Sequence, residues 1–466
     1  AGLAGLSCAR LLWTRRGWPA EIYEGSDRAG GRVRSLRGFF AGGEVGELHG
    51  EFISSEHRRM IGLARLYGLG LKNVNATLGG TEDTAWFNGA RYTQAALNAA
   101  WRDGAWDLFR DAVAKAPGAS YRHASPAARR WDAMSVTEWV ERYIPGGGAG
   151  PLGGLCLADV ISEYGGPPDE QSALNLIYIL GYNTSSANGY QSPKVPLLAG
   201  TDERYTVNGG NDQIVTGLVK ELPQGVIRTG HRLLAVRQSG SGFVCTFQRG
   251  AATKDIAADH VVLTLPPTTL REVDLSRVPL SPLKSLQIAE LRLGSNAKIL
   301  LQVSGRPWQS DGWSGTQLTD RSIGGGWDAS CFQAGSQGQD AVSVYACFPG
   351  GRPGAALAPR YDLRADEGSA PGAMVTDALA ELEPIFPGVS AAWREGPRLA
   401  FYRDGNIDPF LQGAYSYYRV GQFTRFSGVE PLPAGNLHFA GEHTSLQYQG
   451  YMEGALQSGE RAAGEI

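Results

Sequence analysis

Apolar positions at helical spacing mark both ends of the chain. Near the C-terminus Met452, Ala455, Leu456, Gly459, Ala463 and Ile466 keep one face of a helix, with Gly450 just before it. At the other end Leu6-Ser-Cys-Ala-Arg-Leu-Leu-Trp13 reads as a helix that stops near Gly17, and Ala20-Glu-Ile-Tyr-Glu24 as a strand ending in an acid. Between them the pattern alternates. Ala95–Phe109 mixes apolar and polar residues at helix spacing, and Ser135-Val-Thr-Glu-Trp-Val140 opens with a capping box. The pattern predicts a helix over Asn211–Leu222 and strands over His260–Leu265, Ala297–Val303 and Ala341–Phe348. Pro266-Pro267 ends the first of those strands, and Pro145–Gly150 is a loop. The order of elements is that of an α/β chain (α+β overall) with no internal repeat.

Chemistry enters at the glycines. Gly2 would let the backbone approach a pyrophosphate, and Gly5 would let the first helix pack on a sheet. Glu24 lies nineteen residues past Gly5 (24 − 5), the spacing of an acid that binds a ribose hydroxyl. The first glycine and the preceding strand of such a fingerprint are absent. A parallel sheet without its central strand would lose about five buried apolar residues, so we expect the natural chain to extend beyond Ala1. Arg28-Ala-Gly-Gly-Arg32 follows at once: Gly30 and Gly31 permit a tight bend, and Arg32 offers a planar fork to phosphate. At the far end, the free N–H groups of Tyr451, Met452 and Glu453 would form an anion site.

Composition narrows the class. A chain of 466 residues exceeds one ordinary core, so two domains are expected. A net charge of −3 gives no reason to invoke nucleic acid. Cys8, Cys156, Cys245, Cys331 and Cys347 are odd in number and lack C-x-x-C spacing, which argues against a disulfide frame or a zinc site. The seven histidines include no H-x-x-x-H pair. No run approaches the roughly 20 apolar residues of a membrane helix, so no membrane anchor is visible. The compartment stays open.

Taken in chain order, Gly2-Leu-Ala-Gly5, Glu24, Arg28-x-Gly-Gly-Arg-x-x-Ser35, Leu48-His-Gly-Glu-Phe-Ile53, Gly209-Gly-Asn-Asp212, Val261–Pro267, Leu293–Lys298, Asp408–Tyr415 and Ala440–Gly459 resemble the flavin-containing amine oxidase family. That family includes monoamine, polyamine and L-amino-acid oxidases. The resemblance implies a Rossmann-like FAD-binding domain (residues 1–75, 196–278 and 406–466) interleaved with a substrate domain of mixed sheet and helices (76–195 and 279–405). It places Gly2, Gly5, Glu24, Gly31, Arg32, Gly50, Glu51, Phe52, Leu233, Glu442 and Met452 at the cofactor. Glu442 would contact its phosphate or ribityl region, and the backbone at Met452 the flavin pyrimidine edge.

The same resemblance places Tyr415 and Tyr451 face to face before the flavin as a cage for the amine nitrogen. Packing in an aromatic core is the plain alternative, and Tyr417 and Tyr418 stand close by. Lys298 would sit beside flavin N5 through a water, although a lysine in the strand Ala297–Val303 would ordinarily point to solvent. Ala414 occupies the position of the cysteine that bonds the flavin in mitochondrial monoamine oxidases, so FAD is expected to be non-covalent. His49 replaces a glycine and is either an acid–base group or a packed residue. Gly405 stands where the family often has tryptophan.

The implied reaction is oxidation of a primary amine to an imine, with O2 reduced to H2O2. The alternative is an L-amino-acid oxidase; a flavin desaturase or monooxygenase and a non-enzymatic flavin-stabilised subunit rank below both. Arg58, Arg59 and Arg102 are the arginines weighed for a substrate carboxylate, with surface placement as the default. Glu163 and Asp328 are weighed for a distal ammonium, with exposure as the default. A homodimer is compatible with the resemblance.

Overall fold

The protein is described from a computed structural model covering residues 1–78, 81–182, 184, 202–333 and 341–466. The first helix, Leu3–Arg16, ends at Gly17, whose left-handed φ of 69° closes the last turn. The expected strand after it is short: Ile22–Tyr23 pairs in parallel with Ile227–Arg228. A second parallel pair joins Val261–Leu263 to Leu437–Phe439. Gly2 bridges Gly30 in parallel, so the Gly30-Gly31 bend lies directly against the start of the first helix.

The final helix, Met452–Glu465, crosses the first one at its glycine. A Cβ on Gly459 would lie 2.2 Å from the Ala4 carbonyl oxygen and 3.1 Å from the Cys8 nitrogen. The ends of the chain thus form one packed pair, with Ala4, Cys8, Leu12, Ala462 and Ala463 in a shared cluster. Gly459→Ala must push two backbones apart. We expect it to lower stability by about 1–3 kcal/mol, the cost of overpacking, measured by denaturant unfolding.

Two larger sheets hold most of the strands. A four-stranded sheet runs Ala252–Ala258, Gly242–Arg249, Arg232–Ser239, Asp274–Arg277. An eight-stranded sheet runs Glu367–Ser369, Ala400–Asp404, Ala297–Ser304, Val342–Phe348, Gly325–Asp328, Trp313–Thr319, Glu82–Phe87, Ala90–Thr93.

The third of those strands decides where Lys298 goes. Ala297, Ile299, Leu301 and Val303 pack into one core cluster with Met374 and Leu382. The period of two therefore sends Lys298, Leu300 and Gln302 to the other face. That face is covered too: Leu300 packs with Phe40 and Leu48, and Gln302 exchanges two 2.9 Å hydrogen bonds with the Ala41 backbone. The solvent face that a strand lysine would ordinarily find is absent here.

The helical region spans Gln94–Tyr182. Its first stretch is broken. Gln94–Ala100 and Trp106–Lys115 are joined by a wide turn over Trp101–Ala105, where Gly104 takes a φ of 155°. The capping box at Ser135 forms as expected: its hydroxyl accepts from the Glu138 N–H, and the Glu138 carboxylate from the Ser135 N–H. The expected domain boundary at 195/196 lies outside the described residues.

Candidate active site

A single cavity of about 1730 Å³ runs from the turns at Gly2 and Gly31 to the end of the helix Pro151–Tyr164. Its lining includes every residue named above as catalytic or cofactor-binding. At one end the glycines make a close cradle. A Cβ on Gly31 would come within 3.3 Å of the Gly2 Cα, and one on Gly50 within 3.1 Å of the Met452 side chain. Gly5 faces Thr264 at 3.3 Å. The helix starting at Met452 has no side-chain cap, and Met452 itself lines the cavity. These features fit a dinucleotide: backbone can approach closely, and N–H groups and arginine are at hand.

Glu24 is held at the rim. Its carboxylate accepts from the Ser26 N–H and hydroxyl, both at 2.9 Å. Leu233 lines the same end from the strand Arg232–Ser239.

Glu442 lines the cavity and is held by four donors. Its carboxylate accepts from Arg32 Nη1 (3.0 Å), Ser416 N–H (3.2 Å) and hydroxyl (2.8 Å), and Gly450 N–H (2.7 Å). Arg32 Nη1 also donates to the Ala414 carbonyl at 2.5 Å. Glu442 is therefore a brace that ties Arg32, the 414–416 turn and the start of the last helix together. Burial opposes its ionisation, but Arg32, His443 and the Ser416 donors outweigh it and hold the carboxyl below the usual carboxylate range.

The 47–52 loop is built around Lys298. Its ammonium donates to Glu51 Oε2 (2.6 Å), the Glu47 carbonyl (2.9 Å) and the His49 carbonyl (3.0 Å). Both charged side chains are only 4% exposed. Glu51 Oε1 accepts from the Trp327 indole at 2.9 Å, and Phe52 meets the Trp327 ring edge-on at 5.4 Å. An ammonium has three protons, and these three acceptors use them all. A water bridge from Lys298 to a bound flavin therefore needs one of these bonds to open. Burial and the neighbouring Glu51 push the Glu47 carboxyl up to about 8. The Gly209-Gly-Asn-Asp212 motif pins the loop: the Asn211 amide donates to the carbonyls of Glu51 (2.6 Å) and Gly50 (3.2 Å).

His49 is a packed residue in this arrangement. Its Nε2 accepts from Arg403 Nε at 3.0 Å. Burial, then the charges of Arg403, Arg28 and Lys298, drive its pKa well below the ordinary value. The geometry disfavours the acid–base reading, because a cation already occupies the nitrogen that would take a proton.

Tyr415 and Tyr451 both line the cavity and both reach the end of the helix Pro151–Tyr164. The Tyr415 hydroxyl donates to the Ser162 carbonyl, and the Tyr451 hydroxyl to Glu163 Oε2 at 3.2 Å. Adjacent residues of one helix end thus receive both phenols. Gly450 holds a left-handed φ of 88° just before Tyr451. Tyr417 and Tyr418 are buried elsewhere; the Tyr418 ring packs tilted against Phe423 at 4.3 Å. Ala414 lines the cavity. Gly405 does too, and a Cβ there would press to 2.9 Å on the Gly413 carbonyl, so a tryptophan at this position requires a different loop.

Arg58, Arg59 and Arg102 do not line the cavity; Arg59 pairs with Glu453 and Glu460. Glu163 and Asp328 differ from their expected exposure. Asp328 is buried and paired with Arg306 at 2.6 Å, while Glu163 faces the cavity. Sequence reasoning missed Asp159, Glu203 and Trp327 as lining residues. Asp159 and Glu163 carried a signal: two acids at i and i+4 in the otherwise apolar helix Pro151–Tyr164.

Residues 3–466 match the family model for flavin containing amine oxidoreductases, and the chain belongs to that family. It is 24% identical to the L-amino acid dehydrogenase of Synechocystis, over 100% of this chain and 93% of that protein. It is 22% identical to the flavin-containing amine oxidase B of Sus scrofa, over 100% of this chain and 84% of the other. The fold is similar to that of the cyclohexylamine oxidase from Brevibacterium oxydans, with a TM-score of 0.79, 20% identity, and coverage of 100% of this chain and 96% of that one. The protein is thus a flavoenzyme, an FAD-dependent oxidoreductase of CH–NH2 donors. Among the described residues no helix is long and apolar enough to cross a membrane.

Proposed function

We propose that this enzyme oxidises a primary amine with O2, giving an imine that hydrolyses to a carbonyl compound and ammonia, together with H2O2. The observation that carries this reading is the pair Tyr415 and Tyr451, anchored side by side on Ser162 and Glu163 in the same cavity as the glycine cradle. When bound, FAD supplies the two-electron acceptor for the hydride and passes the electrons to oxygen. Segments 1–75, 196–278 and 406–466 would hold it, with Gly2, Gly31, Gly50 and Arg32 at the phosphates and flavin, and Met452 at the start of the last helix.

The two phenol faces confine a neutral amine and exclude water. Lys298 keeps a fixed positive charge where oxygen takes up electrons, and Glu51 fixes its position. His49 supports the loop through Arg403. An L-amino acid would need a cation for its carboxylate. The cavity's arginines are engaged: Arg28 with backbone carbonyls, Arg32 with Glu442, Arg34 with Glu367, Arg232 with Glu272, Arg403 with Asp366 and Asp408. This favours the amine.

The test is a peroxide-coupled screen over amines and L-amino acids, with anaerobic mixing alongside. Amines should bleach the flavin under nitrogen, and readmitted air should yield peroxide. Bleaching by L-amino acids alone, or no bleaching at all, would overturn the reading. Because Ala414 offers no thiol, acid precipitation should leave the yellow cofactor in the supernatant; colour kept in the pellet would refute non-covalent binding.

A further inference from the structure

We propose that Glu163 is the general base of the reaction: it takes the proton from the incoming alkylammonium, so that the amine enters the tyrosine pair neutral. This rests on the amine-oxidase reading and assigns that site a further catalytic residue.

The need for a base follows from the substrate. An alkylammonium titrates at about 10.4, like a lysine side chain, so at pH 7 fewer than about one amine in a thousand is neutral. The carbon can give up a hydride only when the nitrogen lone pair is free to form the imine. A group that removes the proton at the site therefore raises the reactive fraction by a large factor.

Glu163 has the position and the open oxygen. It stands near the end of the helix Pro151–Tyr164 and lines the cavity with Tyr415 and Tyr451. Its Oε2 accepts the Tyr451 hydroxyl at 3.2 Å, and the neighbouring Ser162 carbonyl accepts that of Tyr415. Oε1 takes no hydrogen bond among the described residues. One carboxylate oxygen is thus fixed to the pair and the other is left for the substrate. His49 and Lys298 are engaged elsewhere: His49 receives Arg403, and Lys298 has spent its three protons.

The surroundings favour proton uptake. Facing Glu163 are Asp159 and Tyr164 of its own helix, Glu203, Tyr415 and Tyr451. None is a cation, and no lysine or arginine pairs with Asp159, Glu163 or Glu203 among the described residues. Asp159 is 5% exposed and its Oδ2 has no hydrogen-bond partner, so an ionised Asp159 would be a bare buried charge. Burial and the Glu163 charge push Asp159 and Glu203 well above the usual carboxylate range. Those two hold their protons, and Glu163, which has the phenol donor, carries the charge. Burial raises its carboxyl too, toward the affinity a base needs at neutral pH.

The proton balance closes. The substrate N–H bond breaks and an O–H bond forms on Glu163, leaving a neutral amine and a neutral acid. Once the amine is oxidised and the imine hydrolysed, the ammonia takes the proton back from Glu163 and departs as ammonium.

The experiment compares the FAD-loaded enzyme with Glu163→Gln, which keeps an acceptor for Tyr451 but binds no proton. Anaerobic flavin reduction is followed from pH 6 to pH 10 with n-butylamine and with 2,2,2-trifluoroethylamine, whose fluorines leave it largely neutral at pH 7. For butylamine at pH 7 the unmodified enzyme should be faster by about 100-fold. That ratio should shrink at least about tenfold at pH 10, and likewise for the fluorinated amine at pH 7. A ratio constant across pH and amine would overturn the base, since a misplaced Tyr451 slows every amine alike. Proton exchange is measured separately, by calorimetry in two buffers of different ionisation enthalpy, on dithionite-reduced enzyme under nitrogen. The unmodified enzyme should bind butylammonium at pH 7 without net proton release, and Glu163→Gln should release about one proton per amine. Release by the unmodified enzyme, or by neither protein, would also overturn the base. Should the variant fail to fold, the proton balance of the unmodified enzyme still decides. Failure of every amine to reduce the flavin at any pH would overturn the amine-oxidase reading, while the proton balance still judges Glu163.

Discussion

Replacing Lys298 with methionine is expected to lower stability by about 3–5 kcal/mol, the cost of breaking a buried ion pair from one side. The pair is 2.6 Å long with both partners nearly fully buried. Without the ammonium, Glu51 keeps a buried carboxylate whose remaining donor is the Trp327 indole, and the carbonyls of Glu47 and His49 lose theirs. Denaturant unfolding of the variant measures this. Adding Glu51→Gln should recover much of the stability, because the stranded charge goes with it. It should not recover chemistry. Reoxidation of the amine-reduced enzyme by O2 should stay slower by about 100-fold in both variants, the scale of one preorganised charge at a reacting centre. Unchanged reoxidation in Lys298→Met would remove the lysine from the oxygen reaction and leave it a structural tie.

Arg32→Ala should loosen the cofactor end. We expect a stability loss of about 2–3 kcal/mol, below the fully buried range because Arg32 is one-fifth exposed. Flavin retention should fall with it, since Glu442 braces the Ser416 and Gly450 turns through the same carboxylate. The pH dependence carries the signature. In the unmodified protein Glu442 titrates below its ordinary 4.5, so its contribution is present at neutral pH and fades as pH falls below 4.5 through the native value. In the variant burial is opposed only by His443 and the remaining donors, and the carboxyl moves upward. The stability gap between the two proteins should be widest near neutral pH and shrink in acid. A constant gap from pH 7 to 4 would show that the Arg32 effect is packing alone. Arg32→Lys should restore charge without the planar fork and recover only part of the loss.

Much of this architecture is legible in the order of residues. The stop at Gly17, the capping box at Ser135 and the helix from Met452 follow from local rules, and each forms in the fold. The helix expected over Ala95–Phe109 breaks where Gly104 permits a φ closed to other residues. Lys298 is harder to read. A lysine in a strand reads as solvent-facing, and only the packing of Phe40, Leu48 and Leu300 turns that face inward. The place of Glu442 in the chain points to the cofactor; that it also braces Arg32, Ser416 and Gly450 is decided by contacts between distant segments.

The division has a physical origin. Turns, caps, helix periods and the absence of a thiol at Ala414 depend on a residue and its near neighbours, so the order of amino acids decides them. The ionic pairing of the cavity depends on which carboxylate meets which cation across segments hundreds of residues apart. Glu51 and Lys298 are 247 positions apart, and Arg32 and Glu442 are 410. Only tertiary packing settles those pairs.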